Sequence, residues 1–226
     1  MRIIHKFSGK DKVSELVRCD YNILPVLSRL GLPLGFGAQS ISQVCAEAKV
    51  DEDLFLLIVN FTLSGKIDRD VMARVPASEV AGFLRRSHVY FLGYKFPHIR
   101  RNLLNALDEE NNNINPAIIQ YYDAYMGEVR RHFAYEEDVV FPYVRALEDG
   151  GDTGGYCIGE FLRHHDEIGD SLNELKNIIM RYYRTSRPDV MYDVLVDLYT
   201  AEDDLAKHTD IENHILVPMV EKIEKR

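Results

Sequence analysis

From residue 77 onward, apolar side chains recur every three or four positions in four long stretches separated by short polar breaks. That spacing lines one face of an α-helix with apolar groups. The first stretch runs from about Ser78 to Asp108, and NNNINP ends it, with Asn115 expected as N-cap and Pro116 at the first position of the next helix. The second runs to about Leu147, where EDGGDTGG breaks the pattern. The third covers about Tyr156 to Tyr183, and TSRPD then supplies a cap and a proline for the fourth, about Asp189 to Lys222. Long helices with short connections predict an up-down-up-down four-helix bundle over 76–226.

Ahead of the bundle, residues 1–75 read as a small helical N-terminal domain. DKVSELVRCDYNILPVLSRLG carries helical spacing and stops at Gly31. Ser40 or Ser42 can open SISQVCAEAKV, and DEDLFLLIVNFTLSG supplies a further helix ending near Gly65. VVFPYV and ILVPMV are β-prone in isolation, yet each continues a helical stripe, and a proline near a helix end is tolerated with a kink. The expected fold class is all-α.

Composition narrows the function classes. A net charge of -9 and a pI near 5.4 over 226 residues argue against general binding to nucleic acid or to an anionic membrane surface. Cys19, Cys45 and Cys157 are odd in number and form no C-x-x-C pair, which reads as reduced thiols in a cytosol. MRIIHKFSGKDK lacks the apolar core of a signal peptide, and apolar runs such as LFLLIV are too short to span a bilayer, so a soluble cytoplasmic protein is expected.

The chemistry is concentrated in a repeat, HFAYEEDVVFPYV from His132 and HTDIENHILVPMV from His208. In each copy a glutamate follows the histidine by four residues (Glu136, Glu212) and a proline follows it by ten (Pro142, Pro218). Residues four apart on a helix share a face, so each copy aims an imidazole and a carboxylate at one place. The apolar stripe Ile118, Tyr122, Tyr125, Val129, Val140, Tyr143, Leu147 has His132 and Glu136 in its middle. The stripe Val194, Leu198, Ala201, Leu205, Ile215, Met219, Ile223 surrounds His208 and Glu212 in the same way.

The same test sorts the other histidines. Ile158, Phe161, Ile168, Leu172, Leu175, Ile179 and Tyr182 select His165 over its neighbour His164. Leu84, Leu92, Ile99, Leu103 and Leu107 favour His88 over His98, although Lys95 interrupts that stripe and Pro97 can shift its phase. His214 and His5 fall outside any inward stripe. A lone inward histidine is more often a hydrogen-bonded core residue than a ligand. Six ionisable groups on four inward faces are costly unless something neutralises them, and metal ions do so. Nitrogen-rich sites with bridging carboxylates suit iron, and less specifically manganese or zinc, with room for an oxo or hydroxo bridge and a small exogenous ligand. The Glu-x-x-His order of carboxylate-rich bundles is absent.

On these motifs the chain resembles the hemerythrin-like, histidine-histidine-glutamate (HHE) cation-binding proteins, and among them the di-iron proteins that repair iron-sulfur clusters. The resemblance rests on His132-Phe-Ala-Tyr-Glu136-Glu137 with Phe141-Pro142, on His165-Asp166-Glu167, and on His208-Thr-Asp-Ile-Glu212-Asn213 with Pro218. It implies two iron ions held at His88, His132, Glu136, His165, His208 and Glu212. It also implies a role in repairing clusters damaged by nitric oxide or oxidants, with oxygen or nitric oxide as small ligand and iron-sulfur proteins as partners. Sensing of those gases and nitric oxide reduction are the alternatives within the resemblance. SELV, VLSRLGLPLGFGA and SISQVCAEAKVD resemble the N-terminal domain of the repair proteins. That domain commonly carries paired cysteines, where this chain has Leu34-Gly35-Phe36-Gly37. His88 and His98 also stand ten apart in place of the family's closely spaced pair.

Overall fold

The computed structural model describes residues 6–108, 113–164 and 170–225. Short helices come first: α1 (Val13–Cys19), a 3-10 turn at Tyr21–Ile23, α2 (Leu24–Arg29), α3 (Ile41–Ala48), α4 (Glu52–Ser64) and α5 (Arg69–Met72). After these come α6 (Ala77–Tyr90), α7 (Phe96–Ala106), α8 (Asn115–Tyr135), α9 (Phe141–Glu148), α10 (Ile158–His164), α11 (Asp170–Tyr182), α12 (Pro188–Ile211) and α13 (Val217–Glu224). Among the described residues the only β-type pairing is an isolated bridge between Lys12 and Ser40. The all-α expectation therefore holds, and among the described residues no helix is long and apolar enough to cross a membrane.

The chain packs as two compact units, Met1–Ser87 with Val144–Thr153 and Lys207–Arg226, and His88–Tyr143 with Gly154–Ala206. In the first unit α4 is the central element. Leu54, Phe55, Leu57, Ile58, Val59, Phe61 and Leu63 are buried on nearly every side of it, the mark of an internal helix. Asp51 caps its start by accepting the Leu54 N–H, and Gly65 closes it in the left-handed conformation at φ +66°. The one buried polar side chain on α4, Asn60, accepts the Phe7 N–H at 2.8 Å and donates to the Phe7 carbonyl at 2.9 Å. Ser40 and Gln43 form a capping box at α3, so Ser40 rather than Ser42 opens that helix. The single helix expected before Gly31 is split at Asp20, an extended residue whose carboxylate takes the Asn22 N–H, and Pro25 cannot donate a backbone bond across the break.

In the second unit the core is built from Phe91, Phe96, Ile99, Tyr122, Tyr125, Val129, Phe133, Leu172, Leu175, Val194, Leu198 and Leu205, with α11 lying along α8. Asp108 ties the end of the first long stretch to the turn before α12. Its carboxylate accepts from the Ser186 N–H (2.7 Å), Thr185 Oγ1 (2.8 Å) and Ser186 Oγ (3.2 Å), and its own N–H donates to Tyr183 Oη at 2.6 Å. Tyr183 is thus the buried tyrosine at the end of α11, and Tyr182 of the expected stripe is 64% exposed. Asn115 does not cap α8, since its amide donates to the Asp108 carbonyl at 2.8 Å and the N-cap position falls on Ile114.

Three of the long helical runs contain a π-helical segment: Phe91–Lys95, Glu136–Val140 and Glu212–Leu216. A π segment holds one residue more than an α-helix of the same span, so it rotates everything after it by about 100° relative to a straight helix. This revises the stripes past each segment. The fully buried positions are Val144 in place of Leu147, and Val217 and Val220 ahead of Ile223. Lys95 interrupts the first stripe because it closes the first π segment.

Candidate metal centre

The residues that the repeat singled out lie at the starts of the π segments. His132 is in the last turn of α8 and Glu136 opens the next segment, while His208 is in the last turn of α12 and Glu212 opens the segment after it. His88 sits near the end of α6, three residues before Phe91. Glu136 and Glu212 have no exposed surface, and His88 and His208 retain only 3% and 2%.

Glu136 is held between two imidazoles. His88 Nε2 lies 3.0 Å from its Oε2 and His132 Nε2 lies 3.0 Å from its Oε1. Both distances are short enough for ion pairs, yet neither oxygen has a properly aligned hydrogen bond among the described residues. A hydrogen bond weakens steeply when misaligned, so these close approaches do not satisfy the carboxylate. A wholly buried carboxylate in that state is costly. His208 Nε2 approaches Glu212 Oε1 at 2.7 Å. His88 and Glu136 thus meet in the second unit and His208 and Glu212 in the first, each pair offering an imidazole nitrogen and a carboxylate oxygen to a cation. The chemistry fits as well: imidazole nitrogens and carboxylate oxygens are the donors that iron, manganese and zinc accept.

His88 is oriented from its other side. Its Nδ1 lies 3.0 Å from Glu137 Oε1, and its ring stacks on Phe133 (centroids 3.9 Å apart, planes 13° apart) and on Phe141 (5.4 Å, 21°). A carboxylate on Nδ1 fixes which ring nitrogen faces the site, the usual support of a ligating imidazole. Glu137 stands in the repeat but was not singled out there. Its signal is its place beside Glu136, and what marks it is a partner 49 residues away.

The competing histidines are elsewhere. His98 is partly exposed, 2.9 Å from the Asn102 amide and 3.8 Å from Asp197. His214 is 57% exposed and engages Asp210 one turn earlier. His5 and His165 lie outside the described residues, as does the side chain of His164.

The hemerythrin HHE cation binding domain model matches residues 82–220, a span that includes every one of these histidines and glutamates except His5. Iron-sulfur cluster repair protein YtfE of Salmonella schwarzengrund is 22% identical over 190 residues, covering 80% of this chain and 83% of that protein. The YtfE proteins of Salmonella paratyphi B and Salmonella newport match at the same identity and coverage. With more than half of its length matched, this chain belongs to the hemerythrin HHE cation-binding domain family.

Proposed function

We propose that the chain is a cytoplasmic non-haem di-iron protein that helps restore iron-sulfur clusters damaged by nitrosative or oxidative stress. In this reading His88, His132, Glu136, His165, His208 and Glu212 are the ligands, in an up-down-up-down bundle. The carrying observation is Glu136, a buried carboxylate with an imidazole nitrogen 3.0 Å from each oxygen and no aligned hydrogen bond. The Salmonella relatives are named iron-sulfur cluster repair proteins, which supports iron and repair over the other uses of such a donor set.

When bound, an iron pair supplies redox change and exchange of a small diatomic ligand or of iron itself. The chain's residues supply the rest. Glu137 keeps His88 Nε2 aimed at Glu136, and Phe133 and Phe141 stack against the His88 ring. Glu136 and Glu212 bring carboxylate oxygens, donors that a cation accepts, into positions closed to water.

Gas sensing is the second reading, favoured by the loop at Leu34-Gly35-Phe36-Gly37. It holds no cysteine, its Leu34 is 85% exposed, and Gly35 and Gly37 adopt φ of +94° and +51°. That surface offers an apolar contact in place of thiol chemistry. Anaerobic iron loading followed by metal analysis tests the site, with about two irons per chain expected and one zinc counting against the reading. Adding the loaded protein to a cluster-depleted iron-sulfur enzyme then separates the two roles. Recovery beyond that given by free ferrous iron supports repair. No such recovery, with a gas-dependent change in partner binding, supports sensing.

A further inference from the structure

Pro97, Pro142 and Pro218 each occupy the second residue after a π segment, inside a helical run that continues for at least six more residues. Proline is the residue that a helix interior tolerates least. All three rings are exposed, so burial does not offset that cost. What remains for them to contribute is the backbone effect of a missing N–H.

The hydrogen bonds show that effect in triplicate. The residue before each proline donates five residues back: Phe96 N–H to the Phe91 carbonyl, Phe141 N–H to Glu136, and Val217 N–H to Glu212. Four residues before each proline, where an α-helix would need the absent donor, stand Gly93, Asp138 and His214, all exposed and within reach of water. Six before it stand Phe91, Glu136 and Glu212, all with no exposed surface. Aligned on the prolines, the three runs repeat one arrangement, and two of them carry the carboxylate of the metal centre at the same place.

A surplus residue in a helix is free to migrate along it unless something fixes its place. We propose that Pro97, Pro142 and Pro218 are positioning residues that pin the surplus residue directly after positions 91, 136 and 212, and so set the aim of the Glu136 and Glu212 carboxylates. In the first run the same device turns Phe91 into the core and leaves His88 to supply the donor. The functional part of this proposal rests on the metal-centre reading above; the backbone part does not.

The test uses the full-length chain with Pro142→Ala, Pro218→Ala and, as control, Pro116→Ala in the first turn of α8. Alanine favours helix, so the variants are expected to fold with melting temperatures no lower than the parent; Pro97→Ala serves if either does not. Cobalt(II) titration should show affinity weakened about tenfold or more in Pro142→Ala and Pro218→Ala, with a changed visible spectrum, and neither effect in Pro116→Ala. Scalar coupling across the hydrogen bond from the Phe141 N–H to the Glu136 carbonyl should vanish in Pro142→Ala. Parent-like cobalt affinity and spectrum with that coupling retained would overturn the proposal, because packing alone would then hold the segment. If the parent itself binds neither cobalt nor ferrous iron, the metal reading fails. The coupling measurement then decides alone, its loss supporting the pinning and its retention refuting it.

Discussion

Lys176 and Glu202 give the sharpest energetic expectation in the second unit. The Lys176 side chain is 4% exposed and its Nζ is paired with Glu202 Oε2, while Glu202 keeps 27% exposure. The ammonium also lies 4.3 Å from the centre of the Tyr199 ring. Glu202→Gln removes the negative partner and leaves a buried charge, which in dry sites costs about 3–5 kcal/mol. Partial exposure of the pair and the ring under the ammonium, worth about 1 kcal/mol, lower the expected cost to about 2–3 kcal/mol. In a chain of this size that corresponds to a fall of roughly 4–12 °C in melting temperature. Lys176→Met fills similar volume without charge and leaves Glu202 able to turn to water, so its cost should stay below about 1 kcal/mol. The double variant should melt higher than Glu202→Gln alone. Urea and thermal unfolding of the four proteins measure this directly. If the two single losses simply add, or if Lys176→Met is the more damaging, the argument from an unpaired buried charge is wrong.

Three further expectations concern other groups. Glu136→Gln should abolish tight metal binding while leaving the metal-free protein as stable or more so, because it removes a buried charge; Glu137→Gln should keep the fold and weaken metal binding about 10–100-fold, read by metal titration beside unfolding curves. The Ser186 N–H and Thr185 hydroxyl hold the Asp108 carboxyl below its ordinary pKa, so it stabilises the fold above the unfolded-state value near 4 and that contribution is lost as pH falls through the lower folded value. Asp108→Asn should flatten the acid limb of the stability curve and speed hydrogen exchange at the Ser186 amide. Burial, reinforced by Glu52 and then Asp51, pushes the Cys45 thiol up to about 12, so at pH 8 iodoacetamide should modify exposed Cys157 and spare Cys45 in the folded protein, as peptide mass analysis will report.

Much of this architecture was legible from local chemistry. Ser40 and Gly65 announce helix ends because capping and left-handed closure are short-range effects. The inward stripes placed His88, His132, Glu136, His208 and Glu212 on buried or nearly buried faces because periodicity reports burial along one helix. It cannot report what arrives from another element, and for that reason Glu137 was read as part of the motif but not as a site residue. Periodicity also assumes a constant turn, so it ran straight through the π segments and selected Leu147 and Ile223 where Val144 and Val220 are buried. A proline nine residues after His88 was the visible sign that the first run shares the device of the other two. Tyr182 was preferred to Tyr183 for a different reason: α11 ends there, and the chain direction beyond a helix end is set by the hydroxyl's bond to Asp108 rather than by helical phase.

Asn60 has a consequence for mutational tolerance. Position 60 lies in a run where one aliphatic residue can often replace another at modest cost, as volume-conserving swaps allow. At 60 itself the Phe7 peptide requires a donor and an acceptor at once, at the reach of a two-carbon side chain. Aspartate supplies only acceptors, leucine neither group, and glutamine the right groups one methylene too far. A saturation scan of α4 should therefore show a single-letter site inside a permissive stretch, and it would read as a functional residue although its work is to fasten the chain near Phe7.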